Sequence, residues 1–163
     1  MSLRRRQALD ALAAARVHYT MVEHPPAYTM EEMAALEMEH LDAVGKNLFL
    51  RDSKSKRFFL VSLRGDRRAD LTALGELLGV RLSFASESAL RELLDLEKGS
   101  VTPLGVLNDR DRRVEVLFDE DLRNVPLMGV HPNENTATLF LRPEDLARLI
   151  RDRGNPFRWV KLP

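Results

Sequence analysis

The chain contains no cysteine, which removes disulfides, thiolate metal sites and cysteine nucleophiles and fits a reducing cytosol. It also lacks net charge, since 25 Lys and Arg balance 25 Asp and Glu. A protein that coats nucleic acid non-specifically needs a broad basic field, so that class is disfavoured, while a small local phosphate contact is not. Aromatic residues are only 6% of the chain, and Phe58-Phe59 falls inside a strand-like run. Stacking of many single-stranded bases, which requires exposed aromatic platforms, is therefore unsupported. There is no apolar run long enough to span a bilayer, and the start, Met1 to Arg6, lacks the apolar stretch of a signal peptide. The expectation is a soluble, cytoplasmic protein with neither membrane nor DNA as partner.

What is present suffices for a sizeable core. A chain of 163 residues at 44% hydrophobic content predicts one domain spanning 1–163. Leu9 and Leu12 sit at helical spacing within a first helix over 4–16. Val17 to Glu23 alternates like a strand and is stopped by Pro25-Pro26. Thr29-Met30-Glu31-Glu32 is a capping box that starts a helix reaching about His40. Two apolar strands, Asn47 to Arg51 and Arg57 to Leu63, flank a polar turn and predict a hairpin. Asp70 and Ser86 are N-caps of two further helices, and Gly79 closes the first of these.

The last third reads as strands over 104–107, 114–118, 127–130 and 136–141, then a helix opened by Pro143 and a final strand over 157–161. Strands and helices interleave, but several links are hairpins. The fold class is therefore α+β, a mixed sheet flanked by helices rather than a doubly wound parallel sheet.

Three stretches are candidates for chemistry. Lys46 interrupts an apolar approach to a strand, either to snorkel into solvent or to hold a phosphate as a point charge; Asn47 beside it points to the opposite face. Gly99-Ser100-Val101-Thr102-Pro103-Leu104-Gly105 is either a helix stop with a rigid turn or a cradle of free amides for an anion. His131 stands between Gly129 and the polar run Asn133 to Thr136, either shaping a turn or positioning a carbonyl, with general base as a further reading.

His18 and His40 read as surface residues, and His24, ahead of Pro25, as a turn former. No second histidine or carboxylate stands at ligand spacing from His131, so neither a metal nor a cofactor is expected. Ser100 and Thr102 lack the pattern of an activated nucleophile.

Taken in order, Lys-Asn-Leu-Phe-Leu, Gly-Ser-Val-Thr-Pro-Leu-Gly-Val and Gly-Val-His-Pro followed by Asn-Thr-Ala-Thr-Leu resemble the YbaK-type aminoacyl-tRNA deacylases. That superfamily includes the editing insertion of bacterial prolyl-tRNA synthetase, and the likeness is greatest to its free-standing, ProX-type alanyl-tRNA(Pro) deacylases. The resemblance covers nearly the whole chain. It implies a curved, barrel-like mixed sheet flanked by helices, and hydrolysis of alanine esterified to proline tRNA without a metal, cofactor or protein nucleophile. The substrate's own 2′-hydroxyl would help direct the water.

By the same resemblance, Lys46 engages the terminal adenosine region, with Asn47 beside it. Gly99, Ser100, Val101, Thr102 and Pro103 bound the aminoacyl pocket. Gly105 and Val106 offer backbone contacts near the ester, His131 shapes the pocket against larger side chains, and Asn135 and Thr136 belong to the binding motif. The expected partner is the acceptor end of tRNA(Pro) carrying a small amino acid, with prolyl-tRNA synthetase or an elongation factor as helpers. Asn47, where the cysteine-type relatives carry Thr, leans towards alanine over cysteine. A non-catalytic module that binds tRNA ends is the reading from another class. The opening methionine, first helix and C-terminus suggest a protein acting in trans rather than an excised synthetase insertion.

Overall fold

The computed structural model describes residues 1–27, 29–36 and 43–163. Helix α1 (Leu3–Ala14) is capped by Ser2, whose Oγ accepts from the Arg5 N–H, and it buries Ala8 and Leu12. Strand β1 (Tyr19–Glu23) precedes the double proline. Helix α2 (Met30–Ala34) has the expected Thr29 cap, with Oγ1 accepting from Glu32 N–H at 3.0 Å. The expected extension of this helix over 37–40 lies outside the described residues.

The hairpin of β2 (Lys46–Asp52) and β3 (Phe58–Leu63) forms as read, with Asn47 opposite Ser62. Asp70 caps α3 (Leu71–Leu78), and Gly79 ends it at φ 72°, a left-handed conformation that a side chain would oppose. Strand β4 (Leu82–Phe84) leads to α4 (Glu87–Leu94), capped by Ser86. Then come β5 (Val114–Asp119), a 3-10 helix Glu120–Asn124, β6 (Met128–Val130), β7 (Ala137–Leu141), α5 (Pro143–Arg153) and β8 (Phe157–Val160).

One expected strand is absent. Residues 104–107 belong to a 3-10 helix, Pro103–Asn108. Pro103 has no N–H to lose at a helix start, and the Thr102 Oγ1 accepts from Leu104 N–H at 3.3 Å. Leu104, Gly105 and Val106 are buried, so this run shows no polar alternation to separate helix from strand.

The strands form two sheets instead of one continuous barrel. The five-stranded sheet runs β4-β2-β3-β5-β8, with β2 antiparallel to its neighbours and β5 parallel to both of its own. It is thus mixed, with helices against it. The three-stranded sheet, β1-β7-β6, is antiparallel throughout. An isolated parallel bridge between Val44 and Gly129 joins the two.

The larger sheet is buried on both faces. On one side Phe49, Leu60, Val116 and Phe118 pack with residues of α1, α4, α5 and the smaller sheet. On the other, Leu50, Phe59, Val61 and Leu63 pack with Leu74 of α3. The two-residue period of a strand sends successive side chains to these two cores. Among the described residues, no helix is long and apolar enough to cross a membrane.

Candidate active site

The pairing of β2 leaves half of it open. β4 pairs only with Leu50, Arg51 and Asp52, so among the described residues no strand pairs with 46–49 on that side. The Phe49 carbonyl points that way, accepting from Ala85 N–H at 3.0 Å. Because N–H and C=O directions alternate along a strand, the Asn47 N–H and C=O share this direction. A cleft of about 240 Å³ meets this open edge, where the two sheets adjoin. Its walls include Lys46 and Asn47 from β2, Gly99 and Val101 from the loop after α4, and His131 just after β6.

Each wall is held from behind. Gly45 lies so near β3 that a Cβ there would come within 2.7 Å of the Leu63 carbonyl oxygen. The Lys46 Nζ donates to the Arg67 carbonyl at 2.8 Å, which leaves its other protons for a ligand. Arg67 is anchored in turn: its guanidinium donates to Asp121 Oδ2 at 2.9 Å and to the Leu162 carbonyl at 3.1 Å. Asp119 is 3.7 Å from the same guanidinium, and burial pushes its carboxyl above the ordinary range. The Asn47 Oδ1 accepts from the Ser62 hydroxyl at 2.6 Å. Its side chain is thereby fixed on the face away from Lys46, as read from the sequence.

His131 is half-buried, and its Nδ1 lies 3.0 Å from the Ala137 carbonyl oxygen. A carbonyl only accepts, so Nδ1 carries the proton and the neutral ring keeps a lone pair on Nε2. Burial lowers the His131 pKa, against the Ala137 contact that favours the proton, and His24 lowers it further. The cleft thus offers a fixed ammonium, a strand amide and a neutral imidazole acceptor. That set can hold an anion, polarise a carbonyl and accept one hydrogen bond.

The other expected residues lie elsewhere. Thr102 is fully buried and acts as a tie: its hydroxyl donates to the His131 carbonyl at 2.7 Å. Pro103 is buried at the start of the 3-10 helix. Gly105 and Val106 do not line the cleft. The Gly105 N–H donates to the Thr102 carbonyl and the Val106 carbonyl accepts from Asp109 N–H, both at 3.0 Å, so these two groups are used locally. Ser100 and Asn135 line a separate polar hollow of about 140 Å³. The Thr136 carbonyl accepts from His24 N–H at 3.0 Å, away from the cleft wall.

Two contributors were not assigned to a site from the sequence. His24 lies with its ring 6.1 Å from that of His131 and its Nε2 2.8 Å from Thr138 Oγ1. Arg67 was visible only as one member of a charged cluster, because its contribution is a main-chain carbonyl.

The chain matches the model of the aminoacyl-tRNA editing domain over residues 24–149. It is 43% identical to the prolyl-tRNA editing protein ProX of Acetoanaerobium sticklandii, across 99% of this chain and 100% of that one. It is 39% identical to the prolyl-tRNA synthetase associated domain-containing protein 1 of Mus musculus, across 91% of this chain and 89% of that one. Among solved structures, a candidate trans-editing enzyme for prolyl tRNA synthetase superposes with a TM-score of 0.76 at 27% identity, covering 99% of this chain and 98% of that one. With its motifs, fold and matches in agreement, this chain belongs to the aminoacyl-tRNA editing-domain family.

Proposed function

We propose that the protein is a trans-editing hydrolase that cleaves the ester of alanine mischarged on proline tRNA. The carrying observation is convergence: Lys46, Asn47, Gly99, Val101 and His131, from three separate stretches, line one small cleft. The named prolyl-tRNA editing relative supports proline tRNA as the nucleic acid.

An aminoacyl ester is already activated, so its hydrolysis needs a positioned water and a polarised carbonyl. Water adds to the carbonyl carbon, the bond to the ribose oxygen breaks, and a water proton ends on that oxygen. The products are alanine and free tRNA. The Asn47 N–H, fixed by the strand, donates to the carbonyl oxygen as charge builds there. Removing one such donor typically costs about 2.7–4 kcal/mol. Lys46 holds a phosphate near the terminal nucleotide. His131 limits the side chain that fits, and its neutral Nε2 accepts from the substrate's α-ammonium, which a cationic ring would repel.

Alanine against proline is then a test of size. The tied wall of Gly99 to Val101 excludes the larger ring, whereas glycine, smaller by one methylene, is rejected by only about 1–3 kcal/mol. The whole chain acts as one unit in the cytoplasm on the acceptor end, with the synthetase or an elongation factor as helpers.

The test is a matrix of deacylation rates over alanyl, cysteinyl, seryl, glycyl and prolyl esters of proline tRNA, for wild type and Lys46→Ala. Alanyl ester should turn over fastest among the non-glycyl esters, and Lys46→Ala should lose most of that rate. Prolyl hydrolysis equal to alanyl would sink the alanine assignment. Faster cysteinyl hydrolysis would reassign the substrate, and no turnover by wild type would leave a binding module.

A further inference from the structure

A second hollow continues from the cleft. It measures about 460 Å³, and Asn47, Leu48, Gly99 and Val101 line both. The shared wall is the open edge of β2, so a ligand in the cleft can run along that edge without leaving the protein surface. The chemistry of the second hollow differs. Phe49, Phe84 and Leu90 give it broad apolar walls, and the charged Lys98 and Glu87, 3.8 Å apart, pair with each other at exposed positions.

Phe84 is unusual in its setting. It is 64% exposed, the one phenylalanine among the described large hydrophobic residues left open to solvent. Other rings are used internally: Phe49 stacks on Phe58, and Phe118, Phe157 and Trp159 pack edge to face. The main chain at Phe84 is held in the sheet. It is in register with Leu50 on the edge strand, and the next residue, Ala85, donates its N–H to Phe49. An exposed aromatic fixed beside an apolar groove is a stacking platform.

We infer that this hollow is a nucleobase subsite, in which the Phe84 ring stacks on the purine attached to the ester-bearing ribose. The inference rests on the proposed ester hydrolysis, and the covalent order of the substrate selects the occupant. If the amino acid and ester occupy the cleft of Lys46 and His131, the adjoining groups are a ribose and then a flat, uncharged base. The second hollow, larger and more apolar, takes the flat group, while phosphates remain outside it. One platform also matches a chain too poor in aromatics to stack a long single strand.

The test uses the full-length protein with Phe84→Ala and Phe84→Trp. An exposed site tolerates both without loss of folding. For Phe84→Ala, KM for alanyl-tRNA should rise roughly 5- to 150-fold with kcat within about twofold of wild type, the range expected for loss of one stacked base. Phe84→Trp should keep the wild-type KM. Its added indole fluorescence, taken as the difference from wild type with Trp159 alone, should be quenched by an uncharged RNA oligonucleotide ending in CCA. An unchanged KM for Phe84→Ala, or an unquenched indole, overturns the subsite even if wild type hydrolyses the ester normally. Quenching without any deacylation would instead retain the subsite and overturn the hydrolase reading. Quenching by an apolar peptide and not by the oligonucleotide would assign the groove to a protein partner and overturn the inference.

Discussion

Replacing Thr102 with valine removes a hydroxyl and little else, because the two side chains have nearly the same shape. In the fold that hydroxyl has two duties. It donates to the His131 carbonyl at 2.7 Å and accepts from Leu104 N–H at 3.3 Å. Thr102 is fully buried, so Val leaves the buried Leu104 N–H without this partner. An orphaned buried donor costs about 1–3 kcal/mol, and the length of this bond places it near the lower end. The part-buried His131 carbonyl adds about 0.5–1.5 kcal/mol. The sum is about 1.5–2.5 kcal/mol, or roughly 3–10 °C in melting temperature for a domain of this size.

Thr102→Ser keeps both bonds and loses one buried methyl, about 1 kcal/mol. Urea unfolding of the three proteins measures these differences directly. The same bond holds the Gly99–Val101 wall against the segment at His131 that follows β6, so Thr102→Val should also narrow the ratio of alanyl to prolyl hydrolysis, and Thr102→Ser should not. A valine variant within about 0.5 kcal/mol of wild type, with unchanged discrimination, would refute the tie.

Gly45→Ala should destabilise the protein by about 1–3 kcal/mol and lower deacylation, because the new Cβ meets the Leu63 main chain at 2.7 Å and the strand holding Lys46 must shift; a neutral effect on both unfolding and rate would contradict that packing. The His131 imidazole, with its pKa lowered mainly by burial, should titrate below the ordinary value of about 6.5 when followed by NMR. Its neutral form is the one the fold favours, so its contribution to stability is present above the unfolded value and is lost as pH falls through the folded one; a titration midpoint above 6.5 would reverse the sign. With zero formal net charge, binding to tRNA should depend only mildly on salt, and a log–log slope steeper than about −5 would exclude recognition confined to the acceptor end.

Local chemistry was the part of the fold open to sequence reading. Thr29, Asp70 and Ser86 all cap helices, Gly79 ends one and Pro143 opens one, because each effect needs only neighbouring residues. The hairpin of β2 and β3 was legible for the same reason. The 3-10 helix at Pro103–Asn108 was not, since a short apolar run buried on every side carries no period. The division into two sheets depends on distant pairings such as β1 with β7, which no local pattern encodes. At the site, Lys46, Asn47 and His131 stood out as polar groups in apolar surroundings. His24 and the Arg67 carbonyl did not, because their roles exist only through contacts that folding creates.

The Val44–Gly129 bridge has a consequence for when the site comes into being. Lys46 rides on a hairpin closed by a short turn, the kind of structure that forms within microseconds. His131 directly follows β6, whose sheet gathers its strands from both ends of the chain, a slower assembly because long loops must close first. The cleft exists only once these two parts dock at the bridge. In a refolding experiment, ester cleavage should therefore lag behind the recovery of secondary structure. On gentle denaturation it should vanish first, so that enzyme activity serves as a gauge of how tightly the two sheets are joined.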